Sequence, residues 1–297
     1  MRSKATVLPF LLLVTAACGG GAPASVPPHL DIPVPPEARP VLHASRLPSE
    51  QPSRPVVKGP EPMRPPQTKV PVSPAIQAIV DAPDRDAEDR KLDAGRHPGE
   101  LLAFLGLRPG DRVGEIAAGG GYTTELLARA VGPRGRVWAE NNAFIVKLAD
   151  KAIADRLKRP ADKNVVRSDR ELDAPFPPDA KNLDAVVDVL FYHDTVWMGG
   201  DRDRMNKAIF DALRHGGEYV VVDHSAPEGS GTEDVKTTHR IDELFVIREI
   251  EKAGFHHVAS ADFLRNPADT RDWNDSPRAA GERRGTSDRF VLKFIRP

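Results

Sequence analysis

The chain has 297 residues, of which 40% are hydrophobic and 29% charged, enough for one or two globular domains with a packed core. The formal net charge is -1, and no basic stripe stands out, so the charge pattern does not favour nucleic-acid binding. Cys18 is the one cysteine, which excludes an intramolecular disulfide and a metal site built on several thiolates.

The N-terminus has the pattern of a bacterial export signal. Two basic residues precede an apolar stretch over residues 5–17, which is too short to span a bilayer and ends in small residues. Cys18 follows at once, before three glycines, and this arrangement resembles a lipoprotein signal whose cysteine is lipidated. We therefore expect a signal over residues 1–18 and an exported protein held at the membrane, facing the periplasm or cell surface, only through lipid on Cys18. A soluble periplasmic or secreted protein is the alternative.

A proline-rich segment separates this signal from the rest of the chain. Residues 19–75 repeat proline with serine, alanine and glycine, and they show no apolar periodicity. Such a segment buries too little surface to offset its ordering entropy. We expect a disordered tether here and one folded domain over residues 76–297.

The folded region begins with two predicted short helices, over residues 75–80 and 101–105. A strand over residues 113–116 then runs into a turn of three glycines, and a helix follows over residues 123–131. Glycines let the backbone approach a ligand closely, and the free N–H groups of a helix start point towards it. This segment predicts a site for a nucleotide-like ligand.

Strands and helices alternate after this turn. Further strands are predicted over residues 136–140, 164–167, 183–190, 218–223, 255–260 and 288–294, with helices over residues 143–157, 205–213 and 241–253. This alternation indicates an α/β fold of three layers, with a mostly parallel, Rossmann-like sheet of seven strands. No helix of useful length separates the last two strands, so we expect the last strand to be antiparallel.

The glycine turn does not match the fingerprint of dinucleotide-binding enzymes. That fingerprint, G-x-G-x-x-G, requires a third glycine, and Thr124 or Tyr122 occupies its position in the two possible registers. An acid, Glu140, ends the second strand nineteen positions after Gly121, where a carboxylate that accepts hydrogen bonds from ribose hydroxyls is expected.

Six motifs in chain order resemble those of class I S-adenosylmethionine-dependent methyltransferases. They are the turn Glu115-Ile116-Ala117-Ala118-Gly119-Gly120-Gly121, the acid Glu140, Ser168-Asp169, Asp173-Ala174-Pro175-Phe176-Pro177, Leu213-Arg214-His215-Gly216-Gly217 and Ala253-Gly254-Phe255. The chain is also similar to a bacterial group of predicted methyltransferases through residues 93–110, Val222-Asp223-His224, His239-Arg240-Ile241-Asp242 and residues 264–269.

The resemblance implies S-adenosylmethionine as cofactor and a set of residues that bind it. They are Glu115, Ala117, Gly119, Gly121 and Tyr122 of the turn, Glu140 for the ribose, Ser168 and Asp169 for the adenine edge, and Arg96 for the carboxylate of the methionine end. A capping role for Arg96 and the neighbouring His97 is the alternative. Ala117 replaces the first glycine of the motif, and it is harmless only if its backbone is extended.

Candidates for acceptor chemistry follow the fourth and fifth strands, because ligands of open α/β sheets lie beyond the carboxyl ends of the strands. His193 and His224 are predicted to act as a base or to position the acceptor, with Tyr192 and Asp223 beside them. The side chains of His193-Asp194, Asp223-His224 and His239 could converge at this edge of the sheet, but no segment has the His-Glu-x-x-His spacing of a zinc site, so no residue is assigned to a metal.

Two main functions are compatible with these patterns, and a hydrolase or metal enzyme on the same fold is a third reading. The first is an S-adenosylmethionine-dependent methyltransferase that acts on a small-molecule acceptor. The alternative is an exported, lipid-tethered binding protein with a catalytically silent methyltransferase fold, because export removes the domain from the compartment that makes the cofactor.

Overall fold

The computed structural model describes residues 68–297. The predicted signal, Cys18 and most of the predicted tether lie outside the described residues. Within residues 68–297, none of the helices is long and apolar enough to cross a membrane.

Eight α-helices and seven β-strands make up the part of the chain that the structure describes. In chain order they are α1 (Pro74–Val80), α2 (Ala87–Arg96), α3 (Pro98–Leu105), β1 (Arg112–Ile116), α4 (Tyr122–Val131), β2 (Arg136–Glu140), α5 (Ala143–Arg156), β3 (Val165–Ser168), β4 (Leu183–Val189), α6 (Tyr192–Trp197), α7 (Arg202–Ala212), β5 (Leu213–His224), α8 (Glu243–Lys252), β6 (His256–Ala261) and β7 (Arg289–Ile295). Two short 3-10 helices, Pro160–Asp162 and Gly281–Arg283, complete them.

All seven strands belong to one sheet, in the order β3-β2-β1-β4-β5-β7-β6. The pairs among β1 to β5 are parallel, whereas β7 is antiparallel to both β5 and β6. Between β6 and β7 the described chain has only a three-residue 3-10 helix, too short to serve as a parallel crossover. The predicted Rossmann-like fold, with its antiparallel last strand, is confirmed.

Two hydrophobic clusters cover the two faces of the sheet. One centres on Trp138, Tyr219 and Phe290, and the other on Leu126 and Val187, all with 0–1% of their surface exposed. Helices pack on both faces, so the fold has three layers as predicted. The central strands are buried on both faces and are held firmly in the sheet. The segments that follow them therefore begin at fixed positions along its carboxyl edge.

The structure differs from the prediction at several element boundaries. Helix α6 was not predicted, since six residues after a buried strand give too little periodicity. Helix α7 begins earlier than expected because Asp201 caps it by accepting a hydrogen bond from the Arg204 amide. Helix α8 begins at Glu243 because Asp242 caps it, so His239 lies in the preceding loop.

Candidate functional site

A cleft of about 570 Å³ opens beyond the carboxyl ends of β1, β4 and β5. Its wall is formed by the turn after β1, by residues of α2 and α5, and by polar side chains that follow β4 and β5. This is the edge of the sheet where ligands of open α/β folds bind, and the volume suits a small-molecule ligand.

The turn after β1 requires left-handed backbone at three positions. Ala117, Gly119 and Gly121 have φ angles of 50°, 58° and 86°. A Cβ atom on Gly121 would lie 2.5 Å from Cδ of Arg156, so this position also has no room for a side chain. The backbone of Ala117 is therefore not extended. Alanine is strained at this position, as expected for a non-extended backbone.

The amide of Asn141 closes this turn from the adjacent strand end. Its Oδ1 accepts a hydrogen bond from the Gly119 N–H at 2.8 Å, and its Nδ2 donates to the Gly119 carbonyl at 3.1 Å. The sequence prediction missed Asn141, although its position directly after Glu140 could have drawn attention to it.

The Glu140 carboxylate is fully buried and does not line the cleft. Its Oε2 accepts a hydrogen bond from the Ala117 N–H at 2.9 Å, and its Oε1 has no hydrogen-bond partner among the described residues. Burial, opposed by the Ala117 hydrogen bond and reinforced by the charge of Asp188, raises the pKa of Glu140 well above its ordinary value. One carboxylate oxygen thus remains available for a donor.

Ser168 and Asp169 also lie outside the cleft wall. The Ser168 hydroxyl donates to the Pro175 carbonyl at 2.9 Å, and Asp169 is exposed and pairs with Arg167 at 2.8 Å. Their assignment to the adenine edge stays a prediction, since both side chains are held by neighbours of their own segment.

Glu115, at the end of β1, lines the cleft and is buried. The Thr124 hydroxyl donates a hydrogen bond to its Oε2 at 2.5 Å. Burial raises the pKa of Glu115 to about 7, against this hydrogen bond and the nearby charge of Arg156. The carboxyl therefore changes protonation near neutral pH.

Tyr122 and Arg96 stack in the cleft wall. The Arg96 guanidinium lies 4.6 Å from the centre of the Tyr122 ring, whose hydroxyl donates to Asp93 at 2.6 Å. Among residues 68–297, no carboxylate forms an ion pair with Arg96. The cleft thus contains a guanidinium that can still accept an anionic partner. His97 lies between α2 and α3 with a left-handed φ of 46°, and its backbone N–H caps α2 by donating to the Asp93 carbonyl, whereas its side chain makes no cap of α3.

Arg156 of α5, which the sequence prediction missed, holds α2, α4 and the glycine turn together. It donates to the Gly120 carbonyl and to Glu125 at 2.6 Å each, and to Asp89 at 2.7 Å. Glu125 also pairs with Arg129 at 2.8 Å. These hydrogen bonds of the buried Arg156 guanidinium stabilise the position of the turn.

His193 lies at the start of α6, behind the cleft wall rather than in it. Its Nδ1 lies 2.6 Å from Oδ1 of Asp223, whose Oδ2 accepts the His193 N–H at 2.8 Å. Its Nε2 lies 3.1 Å from Oδ1 of Asp194. Although burial opposes it, the charges of Asp194 and Asp223 raise the pKa of His193 well above its ordinary value. The structure thus brings His193 and Asp223 into direct contact and places both outside the cleft wall, so their part in acceptor chemistry stays a prediction.

His224, at the end of β5, does line the cleft. Its Nδ1 lies 2.5 Å from Oδ2 of Asp275 and 3.0 Å from the Ser287 hydroxyl. Although burial opposes it, His224 lowers the pKa of Asp275. A carboxylate on Nδ1 orients the imidazole and leaves Nε2 as the proton acceptor. Asp275 comes from a loop near the C-terminus, and no sequence signal pointed to it.

His239 enters the same wall from the loop before α8. Its ring centre lies 4.1 Å from that of His193 and 6.3 Å from that of His224. Burial and the charge of His193 lower the pKa of His239 to about 3, so its ring is neutral at physiological pH. Three histidines therefore gather at the ends of β4 and β5, as their positions in the sequence suggested.

Tyr192 does not belong to the cleft, which corrects its prediction as a site residue. Its hydroxyl donates to Glu249 at 3.0 Å and accepts from Asn206 at 2.9 Å. These partners lie on α8 and α7, and they hold the ring in the buried layer between helices. The Tyr192 side chain points to the core, whereas the side chains of His193 and Asp194, the next two residues of α6, lie beside His239.

Comparison with known proteins gives partial sequence matches to methyltransferases. The family model of protein-L-isoaspartate(D-aspartate) O-methyltransferase matches residues 77–171. A ubiquinone/menaquinone biosynthesis C-methyltransferase of Teredinibacter turnerae is 33% identical over 130 residues, which is 43% of this chain and 49% of that protein. The chain thus spans about half the length of the curated relative that it matches.

Solved structures with similar coordinates are more distant in sequence. A methyltransferase of Aquifex aeolicus described as SAM-dependent has a TM-score of 0.49 and 17% identity, over 72% of this chain and 100% of that one. The fibrillarin of Aeropyrum pernix, solved with S-adenosyl-L-methionine, has a TM-score of 0.42 and 14% identity, over 63% of this chain and 67% of that one.

Proposed function

We propose that the chain is an S-adenosylmethionine-dependent methyltransferase that acts on a small-molecule acceptor. One observation carries the proposal: the glycine turn after β1 and Arg96, which forms no ion pair among the described residues, line a cleft at the carboxyl ends of the parallel strands, and the buried acid Glu140 holds that turn from behind. The matched family model and the matched relative of Teredinibacter turnerae both have methyltransferase names, which supports the same reaction class.

The described residues fit this cofactor at three points. Oε1 of Glu140 is a buried acceptor without a donor, which a ribose hydroxyl would supply. The Arg96 guanidinium lines the cleft without a carboxylate, which the methionine end would supply. Gly119 and Gly120 of the turn line the cleft and present backbone rather than side chains to it.

The cofactor, when bound, supplies a methyl group on a positively charged sulfur. The protein has to hold the acceptor in line with that bond and keep water out of the cleft. His224 lines the cleft, and its Nδ1 is held by Asp275 and Ser287, so its Nε2 can take the proton of an acceptor that keeps one. His193 acts behind it, as part of a buried layer that fixes the ends of β4 and β5.

The acceptor itself is not defined by the relatives. The matched family and the matched relative are named for a protein aspartyl group and a quinone, respectively, which are different acceptors. The size of the cleft, about 570 Å³ for cofactor and acceptor together, favours a small molecule over a folded protein. No basic stripe in the sequence supports a nucleic-acid acceptor.

Calorimetric titration of the full chain with S-adenosylhomocysteine tests the proposal. We expect a single site with micromolar or tighter affinity, and we expect Glu140→Ala to abolish it. Lys147→Ala, which removes an exposed side chain of α5 that does not line the cleft, is the control and should bind normally. Absence of heat at high micromolar ligand would contradict the methyltransferase activity, and normal binding by Glu140→Ala would contradict the ribose assignment.

We also propose that the protein is exported and attached to the membrane through lipid on Cys18. The apolar stretch and the small residues before the cysteine support this location. Labelling with palmitate should mark the wild-type chain and fail to mark Cys18→Ser. An unlabelled wild-type chain would contradict the anchor and leave a soluble exported protein.

The second candidate function is a lipid-tethered binding protein without catalysis. Ala117, which stands in place of the motif's first glycine, favours this candidate, because its φ of 50° is strained for an L-residue and its methyl group lies in the turn that lines the cleft. The titration separates the two functions. Binding of S-adenosylhomocysteine supports the enzyme, and absence of binding supports the binding protein.

A further inference from the structure

His193, Asp194 and His239 form a compact group of metal-ligating side chains. One ligand atom from each lies within 4.8 Å of the others. Oδ1 of Asp194 is 3.1 Å from Nε2 of His193 and 3.6 Å from Nε2 of His239. Two ligands about 2.1 Å from one zinc ion lie roughly 3.0–3.6 Å apart at angles between 90° and 120°. Both distances fit a shared ion, and the ligand atoms of the two histidines lie within 4.8 Å of each other, so the rings would move together to share it where that separation exceeds 3.6 Å.

Two buried atoms of the group are open to a cation. Nδ1 of His193 lies 2.6 Å from Oδ1 of Asp223, and its Nε2 lies 3.1 Å from Oδ1 of Asp194. Without a metal ion these two carboxylates hold the ring as an imidazolium, and a divalent ion on Nε2 would replace that ring proton and neutralise the same buried carboxylate. Nε2 of His193 and Oδ2 of Asp194 have no hydrogen-bond partner among the described residues, so neither atom is bound to another group of the protein.

Outer contacts hold both side chains as they hold metal ligands elsewhere. A carboxylate on the far nitrogen of a histidine fixes its tautomer and increases its basicity, and Asp223 does this for His193 at 2.6 Å. The Trp197 indole donates to Oδ1 of Asp194 at 2.6 Å and fixes the carboxylate. These contacts orient two ligands before any ion binds.

The third ligand, His239, is held in an uncommon backbone conformation. Its φ is 61°, in the left-handed region, where a non-glycine residue is strained. The segment is anchored directly after it, because the Ile241 N–H donates to the His224 carbonyl at 3.0 Å. Strain that the surrounding structure maintains is concentrated at functional sites.

We propose that these three residues bind one divalent transition-metal ion, with Zn²⁺ as the best fit. Two imidazole nitrogens and one carboxylate suit Zn²⁺, Fe²⁺ or Co²⁺, whereas Mg²⁺ and Ca²⁺ prefer oxygen ligands throughout. Three protein ligands leave a fourth position of a tetrahedral ion open, as in catalytic rather than structural zinc sites.

The open position would be reached from the cleft, since Asp194 and His239 line it and His193 closes the site from behind. An acceptor with a thiol, hydroxyl or similar donor atom could be held there as an anion. This role rests on the proposed methyl transfer, whereas binding of the ion does not.

Metal content of the full chain tests the site directly. The protein is stripped with a chelator, loaded with Zn²⁺, separated from free ion and analysed by mass spectrometry. We expect about one Zn²⁺ per chain and its loss in His239→Ala. Asp223→Asn, which keeps all three ligands, should weaken affinity roughly 10–100-fold. His256→Ala, the same change at an exposed histidine of β6, is the control and should retain the ion.

X-ray absorption of the zinc-loaded wild-type chain keeps the proposal testable if a variant misfolds. We expect two imidazoles in the zinc environment. Absence of stoichiometric zinc, oxygen ligands alone, or equal binding by His239→Ala and His256→Ala would overturn the site and leave an imidazolium that pairs with Asp194 and Asp223. A chain that binds Zn²⁺ but not S-adenosylhomocysteine supports the ion site and contradicts only the proposed activity.

Discussion

Ala117→Gly should stabilise the protein, although glycine usually destabilises a folded chain. The φ of 50° costs an L-residue about 1–2 kcal/mol, and glycine removes that strain. Against this, glycine adds about 0.4–1 kcal/mol of unfolded-state entropy. Loss of a half-buried methyl group costs about 0.4 kcal/mol more. The net expectation is an increase of about 0.5 kcal/mol in the free energy of unfolding.

The matched control is Ala118→Gly at the next position. Ala118 is buried and has no positive φ, so this change relieves no strain and should destabilise by about 1.5 kcal/mol. Urea denaturation followed by circular dichroism measures both variants, and the difference of about 2 kcal/mol exceeds the error of such extrapolations. Equal destabilisation by the two variants would refute a strained turn at Ala117.

Two further predictions concern buried charge around the turn. The folded pKa of Glu115 is about 7, against an ordinary value of 4.5. The protonated carboxyl therefore stabilises the folded state fully below pH 4.5, and this stabilisation is lost as the pH rises through 7. Glu115→Gln should therefore remove about 3 kcal/mol of the wild-type decline in unfolding free energy between pH 4.5 and 8, and parallel pH profiles of both proteins would contradict this. Arg156→Ala should destabilise by about 2–4 kcal/mol in the same assay, less than for an isolated buried pair because Arg129 still neutralises Glu125. Lys151→Ala, an exposed pair on the same helix, should leave unfolding unchanged, and an equal loss in both variants would contradict the role of Arg156.

The sequence predicted the layers of the fold because hydrophobic periodicity and the order of strands and helices can be read from one chain. Buried runs such as residues 183–189 predict parallel strands, and the glycine turn marks the start of α4. Short α6 and the capped starts of α7 and α8 were placed less well, since side-chain caps such as Asp201 and Asp242 decide them locally.

The sequence predicted the strand ends and turns that build the site, and it predicted fewer of its side-chain positions. His193 and His224 follow neighbouring parallel strands, so their proximity follows from topology alone. The direction of Tyr192, the partnership of His224 with Asp275 and the position of Arg156 depend on packing between distant segments. No periodicity or spacing in the sequence records those contacts.

The crystal structure of the full chain grown with S-adenosylhomocysteine tests the central claim most directly. We predict density for the ligand in the cleft after β1, with its carboxylate on Arg96 and its ribose hydroxyls on Glu140. A cleft without ligand at saturating concentration, or a ligand that contacts neither residue, would contradict a methyltransferase site built on this turn.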